Sequence, residues 1–251
     1  MQQYFSKEEL TLGLNVELDD ELLHHVKTVL RKRDGYKFRM IDANNRCFLM
    51  ELVGNQGTVL QELVEDNELD VDVTIILALI KNDKFDFALQ KLTELGVSRI
   101  VPYAAERSVV KINDEKKKLE RYRKIVTEAS EQCHRLVIPE ITSVAHINDL
   151  KDYMSDFNYV AYEKEKGQYI PYLDIDKSIS VIIGPEGGFS PTEIEKIESL
   201  GFVSRSLGKR ILRAETAALY VMSNVGGARE RWRHTQWWFW VVKLMTMKPM
   251  L

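Results

Sequence analysis

The sequence predicts an α/β fold in two parts: a small β-rich domain over residues 1–69, then a larger domain over 70–225 built on a parallel sheet. Three observations carry this. The first seventy residues hold short, partly alternating apolar runs separated by turn signals. Val71 to Ile80 is almost unbroken apolar sequence, which suits a strand covered on both faces. From there to residue 225, strand-like runs alternate with helical periods, the pattern of an α/β domain.

In the first part, strands are expected at Tyr36 to Ile41, Cys47 to Val53 and Thr58 to Val64. Asn44-Asn45 and Gly54 to Gly57 supply the turns. Asp19 is placed to cap a helix over Asp20 to Leu30. A small β-barrel is the natural arrangement, and Glu65-Asp66-Asn67-Glu68 reads as the linker out of it. In the second part a helix is expected at Lys84 to Leu95, stopped by Gly96, then a strand at Arg99 to Tyr103. Leu119, Tyr122, Ile125, Val126 and Ala129 form the apolar stripe of a long helix over 114–132. A helix near 147–154, strands near 157–162 and 179–183, a helix at 191–200 and a last helix from about 212 complete the alternation.

The 251 residues are 45% hydrophobic and 29% charged, ordinary for a globular protein. No early stretch is long and apolar enough to cross a membrane or serve as a signal segment. Cys47 and Cys133 give neither a disulfide framework nor metal-ligand spacing, and the five histidines show no ligand spacing either. A reducing cytoplasm and no metal are expected. The formal charge of −3 is not that of a bulk polyanion binder, but local basic clusters exist, and these are what nucleic-acid binding needs.

The segment 226–251 breaks the composition. All four tryptophans (Trp232, Trp237, Trp238, Trp240) fall there, with Arg229, Arg231, Arg233, Lys243 and Lys248 against Glu230 alone. It reads as a segment of separate origin, outside the domain fold; an amphipathic membrane- or partner-binding stretch is the alternative.

Two segments carry chemistry. In IGPEGGFS (183–190) an apolar strand runs into three glycines, and Ser190, Pro191 and Glu193 then open a helix in the order of a capping box. A glycine turn at the carboxyl end of a strand is where open α/β sheets bind ligands. Neither a dinucleotide fingerprint nor a phosphate loop is present, so a nucleoside or another small ligand is the expected occupant. In LGKRILRAETAA (207–218) a second strand leads through a basic turn into a helix rich in small residues. Two strand-end turns some twenty residues apart are placed to share one pocket.

Together these segments resemble the cofactor signature of RsmE-type methyltransferases, a family in the SPOUT superfamily. QKLTELGVSRIVPYAAERS (90–108), EASEQCHRLVIPEI (128–141) and HHVKTVLRKRDG (24–35) resemble further parts of that family. The likeness covers residues 1 to about 223; Cys133 stands where the family usually has serine, and the sequence from about Asn224 departs from it. The resemblance implies a PUA-like β-barrel joined to a SPOUT domain with a trefoil knot, and a homodimer. It implies methylation of uridine N3 in 16S rRNA of the small ribosomal subunit, with S-adenosyl-L-methionine as cofactor. It assigns the cofactor to Ile183, Gly184, Pro185, Gly187, Gly188, Leu207, Gly208, Ile211 and Leu212. The same fold also serves RNA methyltransferases acting on another base or a ribose hydroxyl, and a non-catalytic RNA-binding ribosome assembly factor is the alternative from another class.

Uracil N3 is a poor nucleophile until its proton leaves, so the reaction calls for positive groups near O2 and O4 or for a proton acceptor. Arg213 and Arg135 are the candidates for the first task, Glu215 or Glu128 for the second, with a structural salt bridge the competing reading of either glutamate. RNA contacts are expected from Arg31, Lys32 and Arg33, with Arg107, Lys117 and Arg121 as additions.

Overall fold

The computed structural model describes residues 1–110, 114–172 and 175–229. The Trp-rich segment lies outside the described residues from position 230 onward. The chain divides into two compact units: Met1–Glu68 with Glu128–Ile138, and Leu69–Thr127 with the chain from Pro139 onward.

The first unit carries a five-stranded mixed sheet of β1 (Gln3–Phe5), β2 (Asn15–Glu17), β3 (Lys37–Ile41), β4 (Cys47–Val53) and β5 (Gln56–Leu63). The order is β1-β3-β4-β5-β2, with β1 parallel to β3 and the other pairs antiparallel. Alternation along β3 and β4 turns Phe38, Met40, Phe48 and Met50 into one core with Leu10, Leu22 and Val26. β1 and β2 are three residues each, too short for their period to show in sequence. Asp19 caps as expected, accepting from the Leu22 amide at 2.8 Å, but the segment it opens is not one α-helix. Four α-helical residues, α1 (Asp20–Leu23), pass into a π-helix at His24–Val29 that the apolar spacing did not distinguish.

The second unit is a six-stranded, wholly parallel sheet. Its strands are β6 (Val73–Ala78), β7 (Arg99–Tyr103), β8 (Glu140–Ile141), β9 (Phe157–Ala161), β10 (Ile179–Ile183) and β11 (Val203–Arg205), in the order β11-β9-β10-β6-β7-β8. β6 and β10 pair at the centre and every residue in both is buried, as continuous apolar runs require. α2 (Asn82–Glu94) and α3 (Glu115–Cys133) follow β6 and β7, and Phe85 of α2 stacks on Tyr122 of α3 at 4.9 Å between ring centroids. One face of the sheet, with Ile76, Val101, Val160 and Ile182, packs with Leu150 of the 3₁₀-helix Ile147–Tyr153 and with Ile194 and Ile197 of α4 (Pro191–Ser199). The last helix, α5, is described over residues 214–229 and buries Ala214, Ala217, Ala218, Val221 and Met222.

That helix runs four residues past the boundary expected at 225. Ala228 is buried, and Arg229 ties the helix to Asp70 at 2.7 Å and to the Ile175 carbonyl at 3.0 Å. The packing of these residues carries α5 through the last described position. Among the described residues no helix is long and apolar enough to cross a membrane, and no group of His, Cys, Asp or Glu has metal-binding geometry.

Candidate active site

The carboxyl ends of β9, β10 and β11 open onto one cavity of about 550 Å³, lined by residues 161–163, 183–189 and 206–214 together with Lys84 and Ala217. All nine residues picked from the two signature segments lie on its wall.

The turn after β10 is built tightly. A Cβ at Gly184 would come within 2.8 Å of the Phe189 ring, which is itself fully buried, so the chain passes there only without a side chain. Ser190 caps α4, its Oγ accepting from the Glu193 amide at 3.1 Å. The same hydroxyl donates to Glu106 Oε2 at 2.5 Å. Glu193 does not complete the expected capping box. Its carboxylate is buried and accepts instead from the Tyr103 hydroxyl at 2.7 Å and the Glu106 amide at 3.0 Å. The pull of a buried tyrosine hydroxyl at the end of β7 and of the Glu106 amide just beyond it outweighs a reciprocal bond to the cap. Burial first, and then the neighbouring Glu193 carboxylate, push the Tyr103 phenol far above its ordinary range. Arg107, expected on RNA, donates to the Gly187 carbonyl at 3.2 Å and so braces this turn.

The turn after β11 is different. Ser206 Oγ accepts from the Gly208 amide at 3.2 Å, and Gly208 adopts φ +130°, a region left to glycine. Beyond it Lys209, Arg210, Ile211 and Arg213 are exposed, Ile211 at 87%. Arg213 lies on the cavity wall. Glu215, one position into α5, is off the wall; Lys84 Nζ stands 3.9 Å from its Oε1. The wall therefore mixes aliphatic side chains with four cations (Lys84, Lys209, Arg210, Arg213) and two carboxylates (Glu163, Glu186). An apolar bed beside fixed charges suits a ligand with a flat base at one end and a charged group at the other.

The remaining selected residues fall elsewhere. Arg135 belongs to the first unit and is 5% exposed. It holds Glu68 through Nη2 at 2.6 Å, which commits its guanidinium to the fold of that unit. Arg31, Lys32 and Arg33 are exposed in the turn after the π-helix, Lys32 lying 5.3 Å over the Tyr36 ring. On α3, Lys117 is exposed and Arg121 is bonded to Asp86. Sequence reasoning missed Lys84 and the turn 161–163. The second was findable, since it too follows the carboxyl end of a central strand.

This geometry defines a nucleoside-type ligand site on a parallel sheet, and comparison gives it a class: residues 67–226 match the RNA methyltransferase domain family. The chain is 33% identical over 256 residues to the ribosomal RNA small subunit methyltransferase E of Bacillus subtilis, covering 94% of this chain and all of that one. It is 35% identical over 206 residues to the protein of that name in Mesomycoplasma hyopneumoniae, covering 80% of this chain and 89% of the other. A solved ribosomal RNA small subunit methyltransferase E from Neisseria gonorrhoeae, bound to S-adenosyl methionine, superposes with a TM-score of 0.81 at 29% identity, covering 89% and 95% of the two chains. The chain belongs to the ribosomal RNA small subunit methyltransferase E family.

Proposed function

We propose that this protein transfers a methyl group from S-adenosyl-L-methionine to N3 of a uridine in 16S rRNA of the small ribosomal subunit. The observation that carries the reading is the convergence of residues 183–189 and 206–214 on one cavity. The residues fit the cofactor. Gly184 leaves no space for a side chain, and the aliphatic wall of Ile183, Pro185, Leu207 and Leu212 suits an adenine face. Glu163 and Glu186 complement a positive sulfonium or ammonium. When bound, the cofactor supplies a methyl group already activated by a positive sulfur.

The chain then has to position the base and manage its charge. Arg213, on the cavity wall, stabilises the negative charge that spreads over O2 and O4 as the N3 proton leaves. Arg135 has no part in this step, because its guanidinium is engaged with Glu68. Arg31, Lys32, Arg33 and Lys117, all exposed, contact RNA phosphates, and affinity falls with salt accordingly. Arg107 and Arg121 join them by releasing or sharing their present partners. The reading includes a PUA-like character for the first unit, a trefoil knot near α5 and a homodimer, all carried by the family resemblance. It places the enzyme in the cytoplasm with its ribosomal substrate.

Titration of S-adenosylhomocysteine by calorimetry, and mass spectrometry of nucleosides from small subunits treated with the purified chain, test the reading. Binding together with new 3-methyluridine is expected; binding without that nucleoside would move the target to another base or ribose, and no binding would remove the enzyme altogether. Arg213→Ala should lower kcat about 100-fold while changing S-adenosylhomocysteine affinity less than about threefold. Equal losses in both would make Arg213 a pocket builder.

A further inference from the structure

Lys84 sits in the first turn of α2, which leaves the carboxyl end of β6 next to β10 and its glycine turn. A cation there faces the positive end of the helix dipole, where an acidic residue would be the stabilising choice. Its side chain lines the cavity, and Glu215 stands behind it, off the wall. The Lys84 Nζ to Glu215 Oε1 distance of 3.9 Å is that of an ion pair without a hydrogen bond. The Glu215 side chain is 12% exposed, and its second oxygen, Oε2, is buried with no hydrogen-bond partner among the described residues. A carboxylate left short of partners is costly and asks for a reason. Here it holds an ammonium in place electrostatically without occupying any of its three donors, which stay available to a ligand oxygen.

Resting on the methyl-transfer reading, we propose that Lys84 stabilises the uracil anion through O2 or O4, and that Glu215 is a positioning residue acting through Lys84 rather than the proton acceptor. The N3–H bond breaks and its proton goes to solvent water. The electron pair left on N3 forms the bond to the methyl carbon, while the pair of the carbon–sulfur bond returns to sulfur. An ammonium fixed beside the oxygens lowers the pH at which the ring gives up that proton. Arg213, Arg210, Lys209, Glu163 and Glu186 face the same space from the other turns, and Asp83 precedes Lys84 on its own helix. All of them remain in every variant below, so the background field is common to each comparison.

The test is the pH dependence of kcat between about pH 6.5 and about pH 10 on unmethylated small subunits, with S-adenosylhomocysteine calorimetry in parallel. Lys84→Met should lower kcat about 30-fold near neutrality and displace the rising limb upward by about one to two pH units, so that alkaline conditions restore most of the rate. Its S-adenosylhomocysteine affinity should stay within about twofold of the parent. Lys84→Arg keeps the charge and should keep the parent limb; a limb displaced in that variant overturns the proposal even if Lys84→Met fails to fold. Glu215→Gln should cost about fivefold in kcat alone and nothing further in a Lys84→Met background, since both act through one group. A Lys84→Met profile that superimposes on the parent, a matching loss of ligand affinity, or additive losses with Glu215→Gln each sinks the inference. A parent chain that forms no 3-methyluridine sinks instead the reading on which it rests.

Discussion

The two walls of the cavity are built on opposite principles. The turn after β10 is braced by side-chain hydrogen bonds: the buried Tyr103 hydroxyl and the Glu106 amide on the buried Glu193 carboxylate, Ser190 on Glu106, and, at the surface, Arg107 on the Gly187 carbonyl. The turn after β11 has Ser206 beneath Gly208, and its outer residues stand in solvent. The first wall is preorganised, so a ligand meets it without an ordering cost. The second has room to adjust, and its basic, exposed residues are completed by what binds. Both turns contribute to the proposed cofactor seat, through Ile183 and Pro185 on the first and Leu207 and Leu212 on the second, so the contrast lies in how firmly each side of that seat is held.

If the first wall is rigid, a single methyl group should break it. Gly184→Ala places a Cβ within 2.8 Å of a Phe189 ring that is 1% exposed, so the ring or the turn has to shift. Overpacking of this kind costs about 3 kcal/mol, and S-adenosylhomocysteine affinity should fall by about 100-fold or more as the turn is displaced. Thermal denaturation and calorimetry on the same sample read both. Wild-type affinity in this variant would show that the turn yields, and the contrast between the walls would disappear.

The hydrogen bonds beneath that wall are tested by Tyr103→Phe. The change removes the hydroxyl that donates to Glu193 and leaves a buried carboxylate with the Glu106 amide alone on that oxygen. Removing a hydrogen bond to a buried carboxylate costs about 2 kcal/mol, and the loosened turn should bind S-adenosylhomocysteine about tenfold more weakly. A loss of stability with unchanged affinity would mean that the network supports α4 and not the ligand seat.

Much of this site could be read in the sequence, for identifiable reasons. Ser190-Pro191 after a glycine run encodes a strand-turn-helix locally, within a few residues, and the structure agrees with it. β6 and β10 were legible because burial on both faces writes itself as an unbroken apolar run. The hidden part is whatever depends on distance along the chain. Tyr103 and Glu193 are ninety positions apart, so local patterning assigned the glutamate to its nearest cap. Lys84 looked like any surface lysine, because nothing nearby in sequence reveals Glu215 behind it. The π-helix at His24–Val29 escaped because one apolar spacing serves both helix types over six residues. β8, with two residues, has no period to detect.

The second wall should show the smallest effect. At Gly208 a Cβ would meet nothing within 4 Å, so Gly208→Ala introduces no clash. It introduces strain instead, because φ +130° is a conformation that side-chain-bearing residues rarely adopt. The turn lies in solvent past Ser206 and is free to relax toward an allowed geometry at a cost of about 1 kcal/mol. S-adenosylhomocysteine affinity should then fall by about threefold, well short of the loss at Gly184. The two alanine variants are best measured side by side, since the comparison lies in their ratio. A Gly208 variant as damaging as the Gly184 one would mean that the exposed turn is held as firmly as the buried one, by contacts that form only when ligand is present.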